Sequence, residues 1–269
     1  LLSAAIATGG CTEELKPETS GTNGAVPDEG ELTEAVLNLS VNAFVVEAQA
    51  ETRASIPSGT PEQETPEEKE IHDIWVFQYD AAAKELLIKP RYYTITDQAM
   101  LQDLPVYLKA GVPSVVYAVT NTGYDNWAND GTDAAWQKFR QLEQLKKQTL
   151  PTAFPLRSID KVSIPMAGAS EEVEVTTGIT VTVPVTRMYA KLKVKVEMRK
   201  AEMKLNNVNV RQIPNICRVE TLAGDGNDEP MDAVPFPDGT TFWSIAFAAS
   251  DLEKNEDKEW AVFYVPENL

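Results

Sequence analysis

Histidine is nearly missing from this sequence: the 269 residues include one, His72. A Ser-His-Asp triad or a zinc site needs an imidazole held beside a nucleophile or other ligands, and His72 stands alone ahead of an apolar run. It reads as a strand-edge residue. Cysteine is scarce too, limited to Cys11 and Cys217. A bridge between them would tie a polar N-terminal stretch to the far end of the chain, and none is expected. No Gly-rich loop of the phosphate-cradling kind occurs. Positive charge is also short, with 24 Lys and Arg against 41 Asp and Glu and a formal net charge of -17. Binding phosphates needs clustered cations, so nucleic acid is excluded as a partner. The surplus acid is expected to form a solvated, mutually repelling surface.

The acidic residues do not assemble into chemistry either. Asp125 to Asp133 (DNWANDGTD) lacks the spacing and closing glutamate of a calcium loop, and Asp225 to Glu229 (DGNDE) has the composition of an ordinary turn. No carboxylate pair stands out at a strand end beside aromatics, as glycoside hydrolysis would require. No catalytic residue, metal or cofactor is assigned, and an enzyme is not expected.

The N-terminus carries a clearer signal. LLSAAIATGG is a short run of apolar and small residues, too short to span a bilayer, that ends at Cys11. It reads as the tail of a secretory signal whose charged front lies outside this sequence. Gly9 and Gly10 before Cys11 resemble a bacterial lipobox, in which the cysteine thiol is acylated, with Thr8 where Leu is usual. Residues 12–31 have the Glu, Thr, Gly and Pro content of a flexible tether. Residues 55–70, SIPSGTPEQETPEEKE, hold three prolines and five glutamates and are expected to be an exposed linker.

Between tether and linker lies VLNLSVNAFVVEAQAETRA, residues 36–54. Leu37, Leu39, Val41, Ala43 and Val45 alternate with polar Asn38, Ser40 and Asn42, the period of a half-buried strand over 36–46. Arg53 follows, with Ala54 after it. It is the first arginine of the chain, no other precedes Arg91, and no lysine falls between Lys16 and Lys69. An arginine-specific protease meets one site in this region.

The body of the chain is rich in strands. IHDIWVFQY, 71–79, is apolar enough to be a central strand covered on both faces. Residues 86–96 suggest two short strands or a bent one, and 105–109 with 115–120 suggest a hairpin turning near Ala110-Gly111. One helix is expected over 133–147, with Trp136, Phe139, Leu142 and Leu145 on one face and Lys146-Lys147 at its C-terminal end. In 179–198 the apolar positions are odd through Val185 and even from Met188, so a bulge or a change of sheet is expected there. The alternate face of the second half, Arg187, Tyr189, Lys191, Lys193, Lys195 and Glu197, reads as a solvated, aggregation-resistant face. Further strands are expected over 241–248 and 260–265, and the ending at Pro-Glu-Asn-Leu suggests a piece of a longer chain.

Several stretches together resemble the fimbrillins of Bacteroidales, the lipoprotein-derived subunits and anchors of fimbriae. They are Thr-Arg-Ala at 52–54, IWVFQYD at 74–80, PMAG at 165–168, VPVTRMYAKLKVKVEM at 183–198 and FYVPENL at 263–269. Glu13 and Glu14 after Cys11 resemble the acidic tag that directs lipoproteins of that order to the outer face of the outer membrane. The resemblance implies a mainly β fold of tandem transthyretin-like β-sandwich domains with one packed helix, the second domain incomplete in this sequence. On that plan residues 1–11 are the signal remnant and lipobox, 12–53 the tether and a removable first strand, 54–215 the first sandwich and 216–269 the start of the second. It also implies export as a lipoprotein lipidated at Cys11 and a cut between Arg53 and Ala54. The vacated groove would then take a strand from the next subunit. Implied partners are other fimbrial subunits and, through the lipid, the outer membrane, in support of adhesion. Two alternatives stay open: a lipid-retaining fimbrial anchor, and a surface β-sandwich lipoprotein binding glycans, for which Trp127 and Trp243 are the candidate exposed platforms.

Overall fold

A computed structural model describes residues 30–42, 65–123, 125, 127–128, 135–151, 164–197, 206–219, 241–248, 253–255 and 258–266. The alternating segment that opens the described chain forms β1 (Leu32–Val41), with Ala35, Leu37 and Leu39 turned into the core. After a single 3-10 turn at Pro66–Lys69 come β2 (Asp73–Asp80), β3 (Arg91–Thr94), β4 (Leu104–Lys109) and β5 (Pro113–Thr120). Then follow α1 (Leu142–Lys146), β6 (Thr149–Pro151), β7 (Met166–Ala169), β8 (Val173–Glu174) and β9 (Thr180–Arg187). The remainder is β10 (Tyr189–Glu197), β11 (Asn207–Pro214), β12 (Ile216–Arg218), β13 (Phe242–Ala248), β14 (Glu253–Asn255) and β15 (Lys258–Pro266). The fold is mainly β.

An eight-stranded sheet runs in the order β3-β2-β5-β7-β9-β1-β4, with β8 paired to β5. β2 is at its heart, and its residues from Asp73 to Tyr79 are all buried, as a strand covered on both faces requires. Ile74 and Val76 point into a core with Leu37 and Leu39 of β1, Val106 and Leu108 of β4, and Val181 and Val183 of β9. Trp75, Phe77 and Tyr79 point the opposite way, into a second core with Trp136, Phe139, Leu145 and Cys217. Each large side chain so buried contributes roughly 1.5–3 kcal/mol of transfer free energy. The sheet curls around the first core, so that its two end strands meet: the Tyr93 hydroxyl of β3 is hydrogen-bonded to the backbone of Tyr107 in β4.

Two sequence expectations change here. β4 and β5 exist, yet they are not a hairpin: β4 pairs with β1, while β5 pairs with β2, β7 and β8. Both edges of β5 are already occupied, which leaves β4 no place beside it. The helix expected over 133–147 is, in its described part, a 3-10 turn at Trp136–Phe139 and the short α1. Gln141 is extended between them and bridges to Glu85, while the Leu86 N–H donates to the Arg140 carbonyl at 2.8 Å. The four residues of the expected apolar face are nonetheless all buried.

The phase change in 179–198 is a change of sheet. Met188 alone separates β9, in the large sheet, from β10, which pairs with β15 from Tyr189↔Pro266 to Glu197↔Lys258 in a three-stranded sheet. Beyond it β11 pairs with β13, with a register shift between Val210 and Ile213, and β12 pairs with β6.

Candidate strand-acceptor groove

β1 lies between β4 and β9 and is hydrogen-bonded along both of its edges. Against β4 it is antiparallel, from Leu32↔Lys109 to Leu37↔Leu104; against β9 it is parallel, from Val36↔Thr180 to Val41↔Val185. The latter is the one parallel pairing among the described strands. Both ends are pinned by further main-chain bonds. The Gly178 N–H donates to the Glu34 carbonyl at 2.8 Å, and the Asn42 N–H donates to the Val185 carbonyl at 2.9 Å. Ala35, Leu37 and Leu39 fill the interior in a small-large-large order, while Ser40 faces solvent. Taking β1 out would leave two strand edges and a row of apolar pockets, the chemistry of a slot for an extended chain.

The far end of the slot is a buried polar cluster. Arg187, the last residue of β9, is 2% exposed; its Nη1 donates to the Asn42 carbonyl at 2.7 Å and its Nε to the Glu68 carbonyl at 3.0 Å. Glu68 is fully buried. Its carboxylate accepts from the Tyr264 hydroxyl at 2.7 Å and the Thr65 N–H at 2.7 Å, and pairs with the Lys191 ammonium at 2.9 Å. Burial alone would raise the Glu68 pKa. The bonds from Lys191, Tyr264 and Thr65 outweigh that and hold it below the ordinary glutamate value. Residues from the segment after the linker, from β9, β10 and β15 thus meet in one place.

This cluster corrects two expectations. Residues 65–70 of the expected exposed linker are a packed turn with a buried glutamate, and Arg187, Tyr189 and Lys191 of the expected solvated face are turned inward. A sequence signal for the turn exists: Thr65-Pro66-Glu67-Glu68 has the spacing of a capping box with proline at the first helical position.

Cys11, Arg53 and Ala54 lie outside the described residues, as does the acidic loop at 225–229. His72 is exposed, 3.6 Å from the Glu70 carboxylate. Trp127 is not an open platform: its ring packs edge-on against Phe77 and Phe139, with centroids 6.2 and 5.0 Å apart. The Trp243 side chain lies outside the described residues. Among the described residues no group of three or more His, Cys, Asp or Glu side chains could hold a metal ion, and no helix is long and apolar enough to cross a membrane.

No family model matches the chain, and neither does any curated protein. Solved structures do. The tip fimbrial protein Mfa3 from Porphyromonas gingivalis, with C-terminal truncation, is 12% identical, with a TM-score of 0.49 over 88% of this chain and 69% of that one. The fimbrial anchor protein Mfa2 from the same organism is 12% identical, with a TM-score of 0.46 over 88% of this chain and 73% of that one. A structure described as putative polysaccharide binding proteins from Bacteroides thetaiotaomicron is 8% identical, with a TM-score of 0.42 over 87% of this chain and 71% of that one. The solved structures to which this chain is similar thus include fimbrial proteins of Porphyromonas gingivalis.

Proposed function

We propose that this chain is a structural or accessory subunit of a cell-surface fimbrium, assembled by β-strand addition once β1 has been removed. The observation that supports this is the seating of β1: paired on both edges, with Ala35, Leu37 and Leu39 buried, and followed directly by the segment that contains Arg53. On this reading Cys11 is lipidated and carries the precursor to the outer membrane. A cut between Arg53 and Ala54 then separates lipid, tether and β1 from the body. The slot is refilled by an extended strand from another fimbrial subunit, and the assembled fibre supports adhesion. The role is structural rather than catalytic. A fimbrial anchor that keeps its lipid is the outcome if the cut is never made. The glycan-binding alternative loses Trp127 as a platform, since that ring is spent on packing.

The test is treatment of the purified full chain with an arginine-specific protease. The expected result is a new N-terminus at Ala54, release of β1, and a ladder of oligomers by mass and gel; Arg53→Ala should stay uncut and unassembled. A chain cut at Arg53 that loses β1 yet never takes up another strand would sink the assembly reading.

A further inference from the structure

The pockets of the groove select apolar side chains at alternate positions but do not measure how far a strand extends. Leu37 and Leu39 each fill one pocket whether or not the chain continues, and Val41 is the last residue of β1 to pack on that core. The next residue, Asn42, makes polar contacts. The Asn42 N–H donates to the Val185 carbonyl at 2.9 Å, its side-chain Nδ2 donates to the Thr186 hydroxyl at 3.1 Å, and its carbonyl accepts from Arg187 at 2.7 Å.

We infer that Arg187 is the residue that reads the length of the strand filling the groove. The occupant it fits is an extended segment running parallel to β9, with apolar side chains alternating as Ala35, Leu37, Leu39 and Val41 do, and with a main-chain carbonyl one residue beyond the last of them. This deepens the strand-addition reading and rests on it.

The physical reason is charge. The arginine side chain is a cation that only donates, and with the groove filled Arg187 is 2% exposed. When β1 leaves, the Asn42 carbonyl leaves with it, and the Glu68 carbonyl on Nε stays behind. A charge-assisted hydrogen bond in such a setting is stronger than a neutral one, and a buried donor deprived of its acceptor is costly. A strand that stops at position 41 fills the places of Ala35, Leu37, Leu39 and Val41 and still leaves that donor without the position-42 carbonyl. A strand that reaches position 42 restores it. Arg187 also joins Asn42 to Glu68, and the Glu68 contact does not depend on β1.

The experiment uses the full chain cut by the arginine-specific protease, with the cut and the loss of β1 verified by mass. The probes are two fluorescent, C-terminally amidated peptides: residues 32–42, LTEAVLNLSVN, and residues 32–41, which lacks the carbonyl of position 42. The shorter peptide should bind the wild-type body about tenfold to a hundredfold more weakly, the range of one charge-assisted hydrogen bond. In Arg187→Met that gap should close to within about twofold. In Thr186→Val, which removes only the partner of the Asn42 side chain, most of the gap should persist. This second variant decides the matter if Arg187→Met does not fold. Equal affinities of the two peptides for the wild type, or a gap abolished by Thr186→Val, would overturn the inference while leaving strand addition standing. Uptake of neither peptide by a body shown to have lost β1 would overturn strand addition itself, and the inference with it.

Discussion

The side-chain amide of Gln78 pairs with the main chain of Lys109 as a neighbouring strand would. Its Nε2 donates to the Lys109 carbonyl at 2.9 Å, and its Oε1 accepts from the Lys109 N–H at 2.7 Å. Gln78 is fully buried on β2, Lys109 ends β4, and the same Nε2 also donates to the Ser114 hydroxyl at 2.9 Å. One side chain therefore stitches strands far apart in the sheet order where no main-chain ladder joins them.

Gln78→Leu keeps the volume and removes both bonds to Lys109. Two main-chain groups at the curl of the sheet lose this partner, at about 1–3 kcal/mol each. The expected loss is about 2–4 kcal/mol of unfolding free energy by urea titration. A loss under about 1 kcal/mol would show that water replaces the amide.

Gly168 on β7 and Gly178 before β9 make a matched pair for alanine substitution. A Cβ on Gly168 would sit 1.8 Å from the Pro184 carbonyl oxygen, so β7 and β9 must separate; on Gly178, at φ +73, it would meet nothing within 4 Å. Gly178→Ala should cost about 1–2 kcal/mol of backbone strain. Gly168→Ala should cost at least about 3 kcal/mol or prevent folding, since the obstacle is backbone and cannot swing aside. Comparable thermal midpoints for the two variants would contradict this.

Glu68 should give the protein an acid-sensitive component of stability. Its folded pKa is depressed, so its contribution is fully present above the ordinary glutamate value of 4.5 and is lost as pH falls through the lower folded value. Glu68→Gln should be less stable than wild type near neutral pH by about 3 kcal/mol, because Lys191 is left in a largely buried place without its counter-charge. The difference between the two should shrink on acidification. A difference that grows below the ordinary glutamate value would mean that Glu68 is protonated in the native state.

Cys217 should be inert while the chain is folded. It is fully buried, and desolvation pushes its pKa up to about 12. At about pH 8 only on the order of one thiol in ten thousand is then thiolate. Alkylation followed by peptide mass mapping should leave Cys217 unmodified in buffer and label it fully in denaturant. Rapid labelling in buffer would place the 216–218 strand outside the core.

The sequence made the apolar half of this architecture readable. The alternation from residue 36, the unbroken run of 74–77 and the odd-to-even switch between Val185 and Met188 gave β1, β2 and the passage from one sheet to another, because each is a local pattern tied to one face; β1 starts earlier, at Leu32, and positions 43–46 of the expected strand lie outside the described residues. The polar half was hidden. Glu68 is one of five glutamates in a Pro-rich stretch, and Arg187 and Lys191 stand in a row of cations. Nothing local tells a solvated charge from one whose partner is more than a hundred positions away, as Glu68 is from Lys191 and Tyr264. The pairing of β4 was missed for a related reason. Val106 and Leu108 alternate correctly for a hairpin with β5, but the four-residue β7 and the two-residue β8 already occupy the edge of β5 opposite β2.

The parallel alignment of β1 with β9 has a mechanical side. A pull along the axis of β1 loads the ladder bonds to β4 and β9 in shear, many at once, instead of peeling them one after another. Under tension the lifetime of such a joint is set by its rate of rupture rather than by its equilibrium stability. A strand held this way would suit the load-bearing fibre proposed above, and release of β1 from the intact chain should be correspondingly slow unless it is first unzipped from one end.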